Sequence, residues 1–513
     1  MILRESSRGK TVSAQVVYPP PRNTNDDSKD KTNNTTPKDC VLLTRQQVAD
    51  LHINDGRLVI IIHDCVYDVT DYQAHHPGGS LVLRHLAGKD ATDVFENYHR
   101  AHVAKYLLPN HFLGRLADPL PLPAHVQDFR ALRQNLLERG MFEVQPVFYF
   151  QLYAWLAVLF ITSLYCTLRG TSFVLHMVGA VLMGLFWQQF AGLGHDLGHT
   201  AVSKSWHYDH QVGSIIGSCL TGLSTAWWKR NHNTHHVVPN SVEDDPNIQH
   251  MPLLAVSEQV ISKPYWSSYH DRGFMLSRLG QAVVSYQHYI FLPLMSLARF
   301  NLYALGLKHL MNETLRSNYR NTELLCITGI FPLWYGAVAL SLPTRTTMWA
   351  WIFVSHAVTI LLHLQIVVSH WSMETYRYQE EDDNETKNKT PASENNNNNN
   401  NNNKSSAYDS DDWYMLQFRT TMDIACPAWL DWLHIGLQFQ TVHHLYPTLP
   451  RPHQREATAM VKQVCAKHGI TFSEMGFLPM VGDSLRVLRE TAALARTGKY
   501  TRNHLAEALR AEG

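Results

Sequence analysis

The chain has 513 residues, and its 44 lysines and arginines balance 44 aspartates and glutamates, so its formal net charge is zero. A neutral chain argues against a nucleic-acid binder held by a general basic field and against an acidic solvating protein. Only 17% of the residues are charged, which is low for a soluble protein and favours some lipid-facing surface. Seven cysteines without a CxxC pair indicate reduced thiols on a cytosolic chain rather than a disulfide scaffold.

The N-terminal part of the chain predicts a polar arm followed by a small soluble domain. Residues 1–38 are polar and lack the continuous apolar core of a secretory signal, so we expect a disordered cytosolic arm. From 39 to 117, the NDG turn signal at 54–56 precedes an apolar run at 58–62 that predicts a strand. The Pro-rich residues 118–123 predict a linker. Apolar residues then recur on one face of a short predicted helix: Val126, Phe129, Leu132 and Leu136.

Four long apolar runs without Asp, Glu, Lys or Arg predict membrane spans. They form two pairs, each split by a short polar turn: 147–168 with 173–194, and 324–343 with 348–369. Each has about the 20 residues needed to cross a hydrocarbon core about 30 Å thick. One such run also fits a buried core helix, but two matched hairpins weaken that alternative. The run at 289–307 is apolar but contains Pro293 and Arg299, which suits an interfacial helix better than a span.

Two further segments carry no predicted chemistry. Residues 379–412 are acidic and then low in complexity, with uninterrupted Asn from 395 to 403, and predict a disordered surface insert. The last segment, 451–513, returns to soluble helical patterning.

His76 and His99 are candidate haem ligands. A six-coordinate haem needs two axial imidazoles on opposite faces, and here one histidine lies in HHPGG and the other in VFENYH. Gly78 and Gly79 let the backbone approach the ring without a Cβ clash. Across 40–116, above all in YDVTDYQAHHPGGSLVLRHLAGKDATDVFENYH, the chain resembles the cytochrome b5 family. The resemblance implies a b-type haem (haem b) held by His76 and His99, with a haem-free domain as the alternative. Two neighbouring histidines fall outside the family pattern and are expected at the surface: His75 and His102.

Three histidine clusters follow the haem segment: HDLGH at 195–199, HNTHH at 232–236 and QTVHH at 440–444. Histidines three or four positions apart share a helix face, so each cluster can present two or more imidazoles to one point. Neutral imidazole suits iron, copper, nickel or zinc, and the near absence of thiolate argues against a structural zinc site. A single HxxxH is weak evidence, but three clusters beside predicted spans indicate a metal centre. Two hairpins that cross and return would bring all three clusters to the cytosolic face, whereas an odd number of spans would separate the third.

Over roughly 40–500 the chain resembles the membrane-bound front-end desaturases that carry an N-terminal cytochrome b5 domain. The marks are GHDLGH, WWKRNHNTHH with DDPNIQHMPLLAVS, and FQTVHHLYPTLPR, in which glutamine replaces the first histidine of the third box, as is typical of that group. The resemblance implies a mainly α fold, with an N-terminal α+β cytochrome b5-like haem domain. A four-transmembrane-helix di-iron desaturase domain with a cytosolic helical cap would follow it. The resemblance also implies that box histidines bind two irons: His195, His199, His232, His235, His236, His443 and His444.

The resemblance implies further roles outside that set. In the family one more imidazole comes from outside the boxes, and His370 is the candidate, with an interfacial histidine as the alternative. Asp196 and Asn233 are expected to orient imidazoles, and Gln440 to lie near the irons or the substrate. The pair Thr441-Val442 departs from the Leu/Val-Glu pair common in the third box, so any role of that glutamate is absent here. Two histidines inside the fourth span are expected to serve in helix packing or in a substrate channel: His356 and His363.

The activity implied is insertion of a cis double bond toward the polar end of a lipid chain, with O2 as co-substrate and two electrons passed through the haem domain. The electrons would come from NADH through a cytochrome b5 reductase, at the cytosolic face of the endoplasmic reticulum membrane. The segments WWK, SYQHY, DIACPAWLDW and TAALAR slightly favour a sphingolipid long-chain base, desaturated at its eighth carbon. The alternative substrate is an acyl chain on CoA or phospholipid, desaturated at Δ6, Δ5 or Δ8.

Other classes of protein remain as alternatives. A haem-fused lipid hydroxylase should lack glutamine at position 440. A membrane haem carrier without enzyme activity would leave the seven box histidines unexplained. A membrane zinc hydrolase would contain zinc and act independently of oxygen.

Overall fold

The computed structural model describes residues 41–312, 315, 318–377 and 412–497. The predicted arm at 1–38 lies outside them, and so does the predicted insert at 379–412 apart from Asp412, which caps the helix after it. The chain divides into two compact units, which hold the described residues of 1–73 with 86–120 and of 74–85 with 121–513. No disulfide joins the six cysteines in the described part of the chain to one another.

The residues from 41 to 120 form short helices and a four-stranded sheet. The elements are β1 (Leu42–Leu43), α1 (Arg45–Ile53), β2 (Val59–Ile62), β3 (Cys65–Asp68), α2 (Ser80–Leu86), α3 (Thr92–Tyr98), α4 (Ala101–Tyr106) and β4 (Phe112–Leu116). The strand order is β1-β4-β3-β2, with β1 parallel to β4 and the other pairs antiparallel. The predicted strand at 58–62 is confirmed as β2, whose residues are all buried. Gly56 before it has φ of +65°, a left-handed conformation that glycine adopts without strain.

The part of the second unit that follows residue 120 is mainly helical. Its helices are α5 (Ala124–Glu138), α6 (Pro146–Arg169), α7 (Phe173–Gly198), α8 (Trp206–Val212), α9 (Ser218–Thr221), α10 (Thr225–Val237), α11 (Glu258–Ser262), α12 (Arg278–Val284), α13 (Gln287–Met311), α14 (Arg320–Leu325), α15 (Phe331–Leu340), α16 (Arg345–Ala357), α17 (Ile360–Trp371), α18 (Trp413–Thr420), α19 (Asp431–His434), α20 (Gln440–Leu445), α21 (Gln454–His468) and α22 (Phe477–Thr497). Two small sheets accompany them: β5 (Tyr265–Ser267) with β6 (Arg272–Phe274), and β7 (Asp423–Ile424) with β8 (Glu474–Met475). The predicted apolar face of α5 is confirmed, because Val126, Phe129, Leu132 and Leu136 are all buried.

Five of the described helices are long and apolar enough to cross a membrane: Pro146–Arg169, Phe173–Gly198, Gln287–Met311, Arg320–Leu340 and Arg345–Trp371. Four of them overlap the predicted spans, although the helix at the third span ends at Leu340 rather than at 343. The fifth is α13, which continues through Pro293, whereas the sequence predicts an interfacial helix there. Length and composition therefore do not confirm the count of four spans.

Small residues allow the membrane helices to pack closely. The Ser163 hydroxyl on α6 donates a hydrogen bond of 2.7 Å to the carbonyl of Gly179 on α7. A Cβ on Gly184 of α7 would lie 2.6 Å from the carbonyl oxygen of Ser355 on α16. Such close backbone approach is typical of helix pairs in membranes, where packing rather than the hydrophobic effect holds helices together. The same helices enclose Trp187 and Trp351, both fully buried.

Candidate metal centre

Two groups of histidines from distant parts of the second unit lie together. The first group is His195, His199, His232 and His443, and the second is His235, His370 and His444. Within each group, one ring nitrogen from every residue lies within 4.8 Å of the others. His236 lies between the groups, because its ring stacks on His444 with centroids 4.1 Å apart and lies 4.4 Å from His232. The set contains all seven box histidines together with His370.

The helices that carry these histidines all end at the centre. The last turns or C-caps of α7, α10, α17 and α20 hold His195, His199, His235, His236, His370, His443 and His444. The C-terminal end of a helix carries partial negative charge on its unpaired carbonyl groups. Four such ends at one place favour a bound cation over an anion.

The geometry of His235 and His370 favours a cation between their rings. His235 Nδ1–H donates to the buried Asp245 carboxylate at 2.8 Å, and His370 Nδ1–H donates to the Thr420 carbonyl at 3.0 Å. In a neutral imidazole the other nitrogen then carries a lone pair. The two Nε2 atoms are only 3.3 Å apart, so two lone pairs face each other unless a metal ion or a proton separates them. This donor set fits a metal ion.

His444 is oriented in the same way. Its Nδ1–H donates to Gln417 Oε1 at 2.8 Å, and the Gln417 amide is fixed by its own donation to the His236 carbonyl. The buried Nε2 atoms of His444 and His199 have no hydrogen-bond partner among the described residues. A buried nitrogen without a partner is costly, and metal binding would satisfy it.

The first group is equally crowded. His232 Nε2 lies 3.2 Å from His195 Nε2, 3.0 Å from His236 Nε2 and 3.4 Å from His443 Nε2. Burial holds the pKa well below the ordinary imidazole value at five residues: His199, His232, His236, His443 and His444. These rings are therefore neutral near pH 7, the state in which imidazole binds metals.

The structure gives the predicted orienting residues different surroundings. Asp196 Oδ2 accepts from Arg451 at 2.7 Å and from the Tyr149 hydroxyl at 3.2 Å, whereas Asp196 Oδ1 is 3.9 Å from His195 Nδ1, beyond hydrogen-bond distance. Asn233 is buried on α10 beside His232. Gln440 is the buried first residue of α20, and its Oε1 has no partner in the described part of the chain. The roles of these three residues stay predictions.

Sequence reasoning missed the residues that orient the imidazoles. Asp245 lies in the DDPN segment, which we used as a family mark without assigning its carboxylate a role. Gln417 and Thr420 follow the Asn-rich insert in a segment without any motif. Asp423 also escaped notice: its Oδ1 accepts from the Thr441 amide at 2.7 Å, in the first turn of α20. Burial raises the pKa of Asp423 to about 7.

The two histidines expected to serve in packing or a channel lie outside both groups. His356 Nδ1 is 2.8 Å from the Ile352 carbonyl, and its ring stacks on Phe300 with centroids 4.3 Å apart. His363 Nδ1 is 2.9 Å from the Met295 carbonyl on α13. Both contacts suit helix packing.

His76 and His99 have the tautomer that haem ligation requires. His76 Nδ1 lies 3.0 Å from the Gly79 carbonyl, and His99 Nδ1 lies 3.1 Å from the Phe95 carbonyl. A carbonyl can only accept, so each Nδ1 carries the proton and each Nε2 carries the lone pair. Burial lowers the pKa of His76, which keeps its ring neutral. Each residue therefore fits an axial ligand.

Comparison with known proteins identifies the family. Residues 171–476 match the fatty acid desaturase family, and residues 44–117 match the cytochrome b5-like heme/steroid binding domain. The chain belongs to the fatty acid desaturase family. This desaturase is a multi-pass membrane oxidoreductase with a fused cytochrome b5-like domain, as predicted. The two matches imply haem and two irons as its cofactors.

Its relatives include plant and yeast enzymes. A Delta(8)-fatty-acid desaturase of Helianthus annuus is 33% identical over 87% of this chain and 90% of its own length. An acyl-lipid (9-3)-desaturase of Borago officinalis is 32% identical over 90% of this chain and 96% of its own. A Delta 8-(E)-sphingolipid desaturase of Komagataella phaffii is 26% identical over 88% of this chain and 94% of its own.

Proposed function

We propose that this desaturase inserts a double bond toward the polar end of a membrane lipid, with O2 as co-substrate and two irons held by eight imidazoles. The facing Nε2 atoms of His235 and His370 are the observation that carries the proposal. Oxidation of an unactivated methylene needs a redox metal, because no side chain supplies that chemistry.

The two groups of histidines would each hold one iron. His195, His199, His232 and His443 would bind the first, and His235, His370 and His444 the second, with His236 between them. The Asp245 carboxylate, the Gln417 amide and the Thr420 carbonyl keep protons on the Nδ1 atoms, so that the Nε2 atoms face the metals. Gln440, with its buried amide oxygen beside the third box, would contact the substrate or the irons.

The proposed substrate is a sphingolipid long-chain base desaturated at its eighth carbon. The Komagataella phaffii relative, described as a sphingolipid desaturase, supports this choice over nearly the whole chain. The Borago officinalis relative, described as acting on acyl lipids, supports the alternative of an acyl chain. We propose a cis product, and the E geometry in the yeast relative's name makes product geometry a necessary measurement.

We propose that electrons reach the irons through a haem with His76 and His99 as axial ligands. NADH and a cytochrome b5 reductase would supply them one at a time. A haem domain on the same chain raises the local donor concentration to about the millimolar range without a tight interface.

Helix parity supports a metal centre on a single face of the membrane, which we propose is the cytosolic face of the endoplasmic reticulum membrane. The C-terminal ends of α7 and α17 meet at one centre, so an even number of crossings separates them. The helices at 320–340 and 345–371 supply two crossings. A third crossing by α13 would place His370 on the opposite side from His195, which supports an interfacial position for α13.

Expression in a yeast host without this activity tests the proposal. Cells receive candidate fatty acids, and mass spectrometry and gas chromatography locate new double bonds, with their geometry, in both long-chain bases and acyl chains. We expect an eighth-carbon double bond in the long-chain bases. If protein that is folded and loaded with haem and two irons adds no double bond to either lipid pool, the proposed reaction is wrong.

One pair of variants tests the electron route. His76→Ala should abolish the haem absorbance and the activity while both irons remain bound. His75→Ala is the matched control, because its imidazole is exposed and lies outside the proposed ligand set. Activity retained in His76→Ala would contradict electron transfer through the fused haem.

A further inference from the structure

A buried carboxyl group lies at the end of α10 opposite its histidines. Glu323 lies on α14, at the start of the third hairpin helix, which is the membrane helix Arg320–Leu340. Its side chain has no exposed surface. Its Oε2 accepts from the Ser224 hydroxyl at 2.5 Å, and its Oε1 accepts from the Ser214 hydroxyl at 2.7 Å. The Ala226 amide donates to both oxygens, at 3.2 Å and 3.4 Å. Three segments of the chain therefore meet at this side chain.

These contacts cap the helix that carries the second histidine box. Ser224 is the N-cap of α10, and its Oγ accepts from the Trp227 amide at 3.1 Å while its hydroxyl proton is directed to Glu323. The first amides of a helix have no partner within the helix, and acidic groups at that end also interact favourably with the helix dipole. Glu323 and Ser224 together therefore satisfy the first turn of α10.

The free-energy cost of burying the Glu323 carboxyl group means that its hydrogen bonds must be kept in place. A buried carboxyl group is unfavourable unless hydrogen bonds or charges compensate for its lost hydration. Within the described residues Glu323 has no ion-pair partner, so the two hydroxyls and the α10 amide provide that compensation. Movement of α10 away from α14 would leave the carboxyl group unsatisfied, so its hydrogen bonds hold the two helices in one register.

We propose that Glu323 is a positioning residue, which ties the first turn of α10 to the third hairpin helix so that His232, His235 and His236 reach the other ligands. The separation from Ala226 to His236 is ten residues, or about 15 Å along the helix. A small rotation at the capped end therefore displaces all three imidazoles together. The inference rests on the proposed metal centre, to which α10 contributes ligands on both sides.

Metal binding by three purified variants in detergent tests this role. Glu323→Ala removes every contact, whereas Glu323→Gln keeps an amide oxygen that can accept from Ser224 and the Ala226 amide. Ser277→Ala is the matched control, because Ser277 caps α12 through the Gly280 amide at 3.1 Å and α12 carries no box histidine. Titration of the metal-depleted proteins with cobalt(II), followed by absorption spectroscopy, gives both the affinity and the ligand field.

We expect at least a tenfold loss of cobalt affinity and a changed cobalt spectrum in Glu323→Ala, a size typical of residues that support metal ligands. Glu323→Gln should stay within about threefold of wild type, and Ser277→Ala should equal wild type. If folded Glu323→Ala binds cobalt with wild-type affinity and spectrum, Glu323 only stabilises the fold and the inference is wrong. If wild type itself binds no metal at this centre, the proposed function fails first.

A second set of two variants covers the case in which Glu323→Ala does not fold. Ser224→Ala removes one link between Glu323 and α10, and Ser214→Ala removes a Glu323 contact that does not involve α10. We expect a weaker and spectrally altered cobalt site in Ser224→Ala and an unaltered spectrum in Ser214→Ala. Equal effects of the two substitutions would overturn the positioning role.

Discussion

Asp196 and Arg451 form a largely buried ion pair, with 2.7 Å between Asp196 Oδ2 and Arg451 Nη2. Asp196 lies in the first histidine box at the end of α7, and Arg451 follows the third box. The pair therefore joins the end of α7, which supplies imidazoles, to the segment that follows α20. The Tyr149 hydroxyl on α6 donates to the same carboxylate oxygen.

Loss of Asp196 should first destabilise the protein. Asp196→Asn leaves the Arg451 charge largely buried and without its carboxylate partner, which costs about 3 kcal/mol of unfolding free energy and appears as a lower thermal midpoint. The double variant Asp196→Leu with Arg451→Met should recover most of that loss, because no charge remains buried. If the double variant is stable but still loses iron, Asp196 also orients His195, as the sequence predicts.

Replacement of His370 should remove iron, whereas replacement of His363 should not. Both residues are buried on α17, but only His370 lies in a group of potential ligands. We expect His370→Ala to retain at most one iron per chain and to lose at least 100-fold in activity. His363→Ala should retain two irons by metal analysis. Two irons in His370→Ala would contradict its assignment as a ligand.

Asp245 should control metal affinity through His235. Asp245→Asn can turn its amide N–H toward His235 Nδ1, which would favour a proton on Nε2 and block the metal-binding nitrogen. We expect a 10–100-fold loss of metal affinity at the second group. Asp244→Asn is the control, because the Asp244 carboxylate accepts from Ser241 and Ser268 rather than from a box imidazole. Equal losses in the two variants would indicate a general effect of loop stability.

Stability should fall as pH rises through the pKa of Asp423. Burial raises that pKa to about 7, so the folded state holds a proton that the unfolded chain releases near pH 4. The stabilising effect of this proton is complete below pH 4 and is lost as pH rises through 7. Between pH 6 and pH 8 the unfolding free energy should decrease by about 1.4 kcal/mol. Asp423→Asn, which keeps an acceptor for the Thr441 amide, should show a smaller decrease in thermal or denaturant unfolding over the same range.

The sequence predicts the parts of this protein that depend on local pattern. The apolar runs give the two membrane hairpins, and the histidine spacing places His443 and His444 on one short helix. His370 could be proposed because the resemblance implies one more imidazole outside the boxes, and this histidine ends the fourth predicted span at the same membrane face as the boxes. The resemblance to a known family supplied the identity of the metal, which the donor atoms alone leave among several choices.

The residues that orient the ligand histidines and their helices are brought to the centre by tertiary structure, which local sequence patterns do not predict. Gln417 lies 27 residues from His444, and Glu323 lies 97 residues from Ala226. Neither residue belongs to a motif, so spacing gives no reason to pair them. For Asp196, sequence proximity suggested the wrong contact. Its neighbour in the sequence is a box histidine, but the side chain that pairs with its charge is 255 residues away.

The histidines of the proposed centre span residues 195–444, which sets the order in which the centre can form during biosynthesis. All four helices that carry these histidines must be synthesised, and the second membrane hairpin must be inserted, before either group of histidines is complete. The proposed binding of iron is thus a late maturation step, because neither group of histidines is complete until the third box has been synthesised.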